Sequence, residues 1–383
     1  MSELLRVVIA PDKFRGSLTA KEAAEAMGRG VRAAAPDARI DLIPMADGGE
    51  GTVETLVAAA GGEIHELEVT GPLGARVIAR FGLLRDGTTA VIEMAQASGL
   101  ALVAKGARDP MRASTRGTGE LLLAAITAGA RRVIMGIGGS ATNDGGAGLG
   151  QALGYRLLDD QGRDLEPGGG ALGGLARIER SAVRPELEGV EIIVACDVLN
   201  PLCGPWGATH VFGPQKGVTP RTAPLLDANL AHYAAVVRRD LGVSIRDLPG
   251  AGAAGGLGGG LVAFSRARLE RGIEIVMNAV KLRDRLANAD LCLTGEGKLD
   301  AQSAHGKAVA GVGRLAWTLG VPTLVFAGVI EAGAVARLGD HVTAAFALCE
   351  GAITQAKAIA QAGPLLEQRV EQALGEFLAE RRG

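Results

Sequence analysis

Four cysteines stand in the 383-residue chain and none forms a CxxC pair, so Cys196, Cys203, Cys292 and Cys349 read as small core residues, not disulfides or zinc ligands. The five histidines have no HExxH spacing, which removes the commonest transition-metal signature. Neither sign of charge is in surplus: a formal net charge of -2 and a pI near 6.3 argue against nucleic acid as a partner. No charge-free run reaches membrane-spanning length, and 250–264 is short and mostly glycine and alanine. Ser2-Glu3 leads directly into Leu4 to Ala10 without the basic region, apolar stretch and cleavage site of an export signal. A cytoplasmic protein with no membrane partner is therefore expected. The phosphate loop GxxxxGK[ST] is also missing. Ala301-Gln302-Ser303-Ala304-His305-Gly306-Lys307-Ala308 lacks its first glycine and its final hydroxyl.

Glycine, by contrast, is abundant: 58 of 383 residues, without a collagen period and set among strong apolar runs. Tight loops in a folded α/β protein account for it. A chain of this length defaults to two domains. Leu5 to Ala10 is a strand candidate, and Thr19-Ala20-Lys21-Glu22 is a capping box opening a helix that runs to about Ala35, before Pro36. Ile40 to Met45 is a second strand and Val53 to Ala60 a second helix. Strand and helix alternating over short links predict a parallel sheet. Ile64 to Thr70, Ala75 to Leu84 and Thr88 to Met94 then predict an antiparallel meander, turning at Asp86-Gly87. A hairpin is expected at Tyr155 to Leu165 and a buried strand at Glu191 to Ala195. The first pattern returns with strands at 289–294, 321–327 and 342–348 and with helices over 354–382 broken near Gly363-Pro364. The expected architecture is a discontinuous, Rossmann-like, doubly wound parallel-sheet domain, 1–64 and 285–383, with a mixed α/β domain, 65–284, inserted.

Chemistry-bearing residues fall at the predicted strand ends, where ligands of open α/β sheets sit. The fullest such stretch is Gly136-Ile137-Gly138-Gly139-Ser140-Ala141-Thr142-Asn143-Asp144-Gly145-Gly146, between a buried strand and a helix start. Glycines permit close backbone approach there and a helix N-terminus leaves donors for phosphate. Asp12 and Lys13, Asp47, Asp197, and Glu296 and Asp300 occupy other strand ends. Each alone reads as a helix cap or turn former. Together they form a set of carboxylates, lysines and glycine amides that suits Mg²⁺ and polyphosphate, with one carboxylate left to accept a hydroxyl proton. Two dinucleotide fingerprints compete. Gly136 to Ala141 fits GxGxxA but no helix follows at once, and Gly250 to Gly255 fits GxGxxG but follows Asp247-Leu248-Pro249, which is no strand. They keep an NAD(P)-dependent oxidoreductase open, as the cleft expected of two domains keeps a non-catalytic ligand-binding protein open.

Pro11-Asp12-Lys13-Phe14-Arg15-Gly16-Ser17, Pro44 to Thr52, Gly138 to Gly146, Cys196-Asp197-Val198-Leu199-Asn200-Pro201-Leu202, Gly213-Pro214-Gln215-Lys216-Gly217 and Thr294 to Asp300 resemble, in order and over essentially the whole chain, the bacterial type I glycerate kinase family. The resemblance implies an interdomain active site passing phosphate from ATP to D-glycerate, usually at the 2-hydroxyl, with Mg²⁺. Lys298-Leu299 stands where Arg-Ile is expected and Arg15 where Lys is common. The roles expected on this basis are Asp197 as base, Lys216 as charge neutraliser, and Lys13, Arg15, Ser17, Asp47 and Asn143 as substrate contacts. Gly138, Gly139, Ser140, Gly295 and Glu296 are expected at the nucleotide phosphates, and Asp144 and Asp300 at the metal. Pro249 to Gly260 reads equally as a moving part of closure and as a tightly packed turn.

Overall fold

The computed structural model describes residues 4–46, 49, 51–300, 308–350 and 353–380. The expected substrate contact Asp47 lies outside them, as does most of Ala301 to Ala308. In chain order the strands are β1 (Arg6–Ile9), β2 (Arg39–Leu42), β3 (Gly62–Thr70), β4 (Arg76–Leu84), β5 (Thr89–Glu93), β6 (Arg132–Gly136), β7 (Arg156–Leu158), β8 (Arg177–Glu179), β9 (Glu191–Ala195), β10 (Arg268–Glu270), β11 (Leu291–Leu299), β12 (Thr323–Ile330) and β13 (Ala344–Ala347). The chain divides into two compact units: residues 1–47, 58–60 and 273–383, and residues 48–57 and 61–272. Among the described residues no helix is long and apolar enough to cross a membrane.

In the first unit a five-stranded sheet has the order β13-β12-β11-β1-β2, every neighbouring pair parallel. Strand periodicity explains why both faces are covered. Leu324 and Phe326 of β12 join Val7, Ile9, Leu291 and Leu293 in a core with Met27, Val31, Leu366, Val370 and Leu374. The alternate residues Val325 and Ala327 face Val309, Ala310 and Leu338. The first of these cores holds the helix Ala20–Ala34, which begins with the expected capping box. Thr19 Oγ1 accepts the Glu22 N–H at 3.2 Å and Glu22 Oε2 accepts the Thr19 N–H at 2.8 Å, worth about 1 kcal/mol. The Leu366, Val370, Leu374 stripe belongs to the helix Ala362–Glu380, whose Pro364 sits in the first turn, where a missing N–H costs no intrahelical bond. The chain leaves β1 toward β2 on one side and resumes at β11 on the other, which makes the β1/β11 boundary the topological switch point.

One expectation is corrected here. Gly295 and Glu296 do not lie in an exit loop, because β11 continues pairing with β12 as far as Leu299 opposite Ile330. Bare backbone explains the extension: a Cβ on Gly297 would stand 2.8 Å from the Arg15 nitrogen.

In the second unit a six-stranded sheet has the order β10-β9-β6-β5-β4-β3. β3, β4 and β5 form the antiparallel meander, and β5, β6, β9 and β10 run parallel. Asp86 closes the β4–β5 turn by accepting the Thr88 and Thr89 N–H groups at 2.9 and 2.8 Å. The hairpin expected at 155–165 forms, with the Asp159 N–H on the Arg163 carbonyl at 2.9 Å, Leu158 bridged antiparallel to Asp164 and the Leu165 N–H on the Leu157 carbonyl at 2.8 Å, and β7 has a further antiparallel partner in β8.

Candidate active site

Beyond the switch point of the first unit, the Asp12 N–H still donates to the Gly295 carbonyl at 2.8 Å, so the two strand ends stay zipped together. Asp12 is buried and its Oδ1 accepts the Lys13 N–H at 2.7 Å. The next residues fold back on themselves. Phe14 and Leu18 exchange backbone bonds of 2.9 and 3.0 Å, the Ser17 hydroxyl donates to the Phe14 carbonyl at 3.0 Å, and Gly16 takes φ +80° at the tip. Phe14 is thereby buried and Arg15 exposed, while Lys13 is half-buried. Glu296 is buried beside Gly295, and Asp300 is half-buried just past β11. Asp12, Glu296 and Asp300 are hard oxygen donors of the kind Mg²⁺ takes. Among the described residues no three His, Cys, Asp or Glu converge as a metal cage. Mg²⁺ beside a nucleotide is held by one or two carboxylates together with the phosphates, which this donor set fits.

In the second unit the strand ends are level, since Glu93, Gly136, Ala195 and Glu270 are successive partners across β5, β6, β9 and β10. The glycine-rich loop therefore starts beside β9, which ends at Ala195, two residues before Asp197. Gly138 and Gly139 are its exposed tip and everything from Ser140 to Gly150 is buried. Gly138 looks across open space, its nearest neighbour for an added Cβ being Gly49 at 3.7 Å. Two of the stretches singled out in the sequence thus meet as bare backbone. Asp197 is exposed, and its Oδ1 accepts the Gly272 N–H at 3.0 Å.

Three expected ligand contacts turn inward instead. Asp144 is fully buried and receives four donors: Thr115 N–H at 2.8 Å, Thr115 Oγ1 at 2.9 Å, and the Gly146 and Gly148 N–H groups at 3.2 Å. Three of these donors fall on Oδ2 and one on Oδ1, which engages both oxygens of the carboxylate with the fold around the loop. It ties together the starts of the helices Ala147–Ala152 and Arg116–Thr127. Burial holds its carboxyl above the usual range even so. Asn143, also fully buried, donates from its amide nitrogen to Thr209 Oγ1 at 3.0 Å, and its Oδ1 is buried without a hydrogen-bond partner among the described residues. Lys216, 1% exposed, donates to Ser140 Oγ at 2.7 Å and to the Thr142 carbonyl at 2.8 Å. Its ammonium acts on the loop and is not presented to solvent.

Burial pulls the Lys216 ammonium down to about 7, with the nearby Asp144 charge opposing the shift. The unfolded chain therefore holds a proton that the folded chain lacks from about 7 up to the ordinary value of 10.5. Stability gains with pH across that window, because the cost of burying the charge, complete below it, is progressively relieved. Urea midpoints of wild type and Lys216→Met measured between neutral and alkaline pH are expected to diverge in the wild type's favour as pH rises. Parallel curves would show that Lys216 does not titrate there.

The stretch Pro249 to Gly260 is packed, not loose. It runs through a turn into the helix Leu257–Ser265, with Gly255, Gly256 and Gly260 buried against Thr142 to Gly146. A Cβ on Gly256 would stand 2.7 Å from the Gly145 Cα, and one on Gly255 would fall directly on the Thr142 carbonyl oxygen. Its GxGxxG is a backbone-packing surface, and the GxGxxA after β6 is separated from its helix by Thr142 to Gly146. Neither forms a dinucleotide loop. Sequence reasoning missed Glu93. It is buried at the end of β5, and its Oε1 accepts the Val53 N–H at 2.9 Å at the start of the helix Thr52–Ala60, whose N-cap Gly51 has no side chain to offer. An acidic residue closing an apolar strand was the available signal.

Parallel sheets that carry carboxylates, cations and bare glycine backbone beyond their carboxyl ends make an α/β fold of the kind that binds small molecules there. The sequence model of the glycerate kinase family, by its description, matches residues 7–377. A glycerate kinase of Bacillus subtilis (strain 168) is 50% identical over 364 residues, covering 95% of each chain. A glycerate 2-kinase of Escherichia coli (strain K12) is 50% identical over 324 residues, covering 85% of each. A crystal structure of a protein from Salmonella typhimurium LT2 superposes with a TM-score of 0.92 at 46% identity over 100% of both chains. The chain belongs to the glycerate kinase family and is a phosphotransferase with an alcohol acceptor.

Proposed function

We propose that the protein transfers the γ-phosphoryl group of ATP to the 2-hydroxyl of D-glycerate, giving 2-phosphoglycerate and ADP in the cytoplasm. The observation that carries this reading is the register of Gly136 opposite Ala195, which sets the exposed Gly138–Gly139 backbone beside the strand that delivers Asp197. Asp197 takes the proton of the glycerate hydroxyl as its oxygen bonds to the γ-phosphorus and the bond to the β-phosphate oxygen breaks. The Gly272 N–H on Oδ1 fixes the carboxylate's orientation. The Gly138 and Gly139 amides receive equatorial phosphoryl oxygens, and Ser140 is held beneath them by Lys216. Lys13 supplies positive charge at the switch point. Mg²⁺, when bound with ATP, neutralises phosphate charge, and Asp12, Glu296 and Asp300 are its candidate oxygen ligands.

³¹P NMR of the protein with ATP, Mg²⁺ and D-glycerate tests the reaction, and a phosphomonoester coupled to a single methine proton is expected. Coupling to a methylene would move the transfer to the 3-hydroxyl, and no glycerate-dependent signal would overturn the acceptor. Asp197→Asn is expected to lower kcat by about 10²–10⁴-fold with nucleotide binding retained, the usual contribution of a positioned base. Near wild-type turnover would assign the base elsewhere.

A further inference from the structure

The first unit contains a pocket of ≈ 280 Å³ that the proposed transfer of phosphate leaves unused. It lies beyond the carboxyl ends of β1, β11, β12 and β13, on the side of the switch point away from β2. Its floor is apolar: Leu348 is buried at the end of β13, and Ile359, on the helix Gln355–Ala360, faces it with 45% of its surface exposed. One wall is bare backbone. Gly328 of β12 lines it, and a Cβ there would fall on the Gly297 carbonyl of β11. At the rim stand two cations, Arg15, held out by the Phe14–Leu18 turn, and Lys298, paired with Glu331 at 2.6 Å.

Apolar floor, bare wall and cationic rim match a ligand with a flat, weakly polar ring at one end and a polyanion at the other. Of the two substrates of the proposed reaction only the nucleoside triphosphate is built that way, since glycerate has no apolar part to bury. The volume falls just below the roughly 300–1,000 Å³ typical of small-molecule sites, which suits one base and its sugar and not a dinucleotide. We propose that this pocket receives the purine nucleoside of the phosphoryl donor, with the phosphates running out past Arg15 and Lys298 and the Gln355 amide within the lining to meet the base edge. The assignment rests on the kinase reading above. It moves Arg15 from a substrate contact to a contact of the nucleotide phosphates.

Photolabelling of the full-length protein with 8-azido-ATP, followed by peptide mapping, tests the assignment without altering the chain. Label is expected in peptides spanning 297–300, 323–330 or 348–362, displaced by ATP and by ADP. Saturable label confined to peptides of 61–272, or no saturable label, overturns it. Ile359→Trp narrows the pocket from its exposed side, and is expected to raise the KM for ATP and the dissociation constant of ADP about tenfold, or ~1.4 kcal/mol. The KM for D-glycerate is expected to stay unchanged. A folded variant with unaltered ADP affinity overturns the proposal. Label in this pocket without D-glycerate phosphorylation would retain the pocket and reject the acceptor, whereas an active kinase labelled elsewhere would do the reverse.

Discussion

Lys216→Met is expected to lower kcat/KM by about 10²-fold or more, although the side chain it alters is buried and never meets solvent. Methionine keeps the apolar stem and removes the donors that reach Ser140 Oγ and the Thr142 carbonyl. A buried acceptor deprived of its donor costs about 1–3 kcal/mol, and the loop relieves that cost only by moving. What moves with it is the Gly138–Gly139 tip, and displacements of about 1 Å at a reacting centre cost on the order of 10²-fold. Asp144 also loses a positive charge that interacts with it while it remains fully buried. Arginine is not expected to rescue activity, since a guanidinium exceeds the space of a side chain that is 1% exposed. Steady-state kinetics beside thermal melts decide the matter. A folded Lys216→Met enzyme within about tenfold of wild type would separate the ammonium from the loop's working geometry.

Gly255→Ala is expected to destabilise the second unit by about 3 kcal/mol or more and to abolish activity in the fraction that folds. Two costs add. The residue has φ +72°, which costs an L side chain roughly 1–2 kcal/mol, and its new methyl group would fall on the Thr142 carbonyl, a backbone atom that no rotamer change can move aside. Gly242→Ala isolates the first cost, because Gly242 has φ +74° with nothing within 4 Å of an added Cβ. Chemical denaturation of the two variants side by side is expected to show a shift several times larger at 255. Equal shifts would mean that the helix Leu257–Ser265 and the loop it supports slide apart freely.

Much of the first unit was legible because its signals are local. The Thr19 and Glu22 box, the apolar runs at β1 and β12, and the Leu366, Val370, Leu374 stripe each follow from spacing along the chain. The end of β11 was not, because what continues the strand through Gly295 and Glu296 is pairing with β12, a partner remote in sequence. β7 likewise finds a second partner, β8, beyond its own return segment. At the candidate site the sequence could not tell a group facing solvent from one turned inward. Asp144, Asn143 and Lys216 share the residue types of ligand contacts with Asp197, and only Thr115, Thr209 and Ser140, distant in sequence, reveal that they brace the loop. Glu93 escaped notice for the same reason: its partner, Val53, is 40 residues away.

The course of the chain through the first unit constrains the order in which a ribosome can release finished structure. β1 is made well before β11, and the Arg6 N–H waits for Asp290, 284 residues later, for its hydrogen bond. Until β11 emerges, β1 has only β2 beside it, and the apolar face of the helix Ala20–Ala34 lacks the helix Ala362–Glu380 that covers it. Every strand of the second unit has by then been synthesised. The nascent protein must therefore carry an unfinished, apolar half-sheet from the synthesis of β2 until that of β11, a period in which chaperone shielding matters more to this fold than it would to one whose neighbours in space are neighbours in sequence.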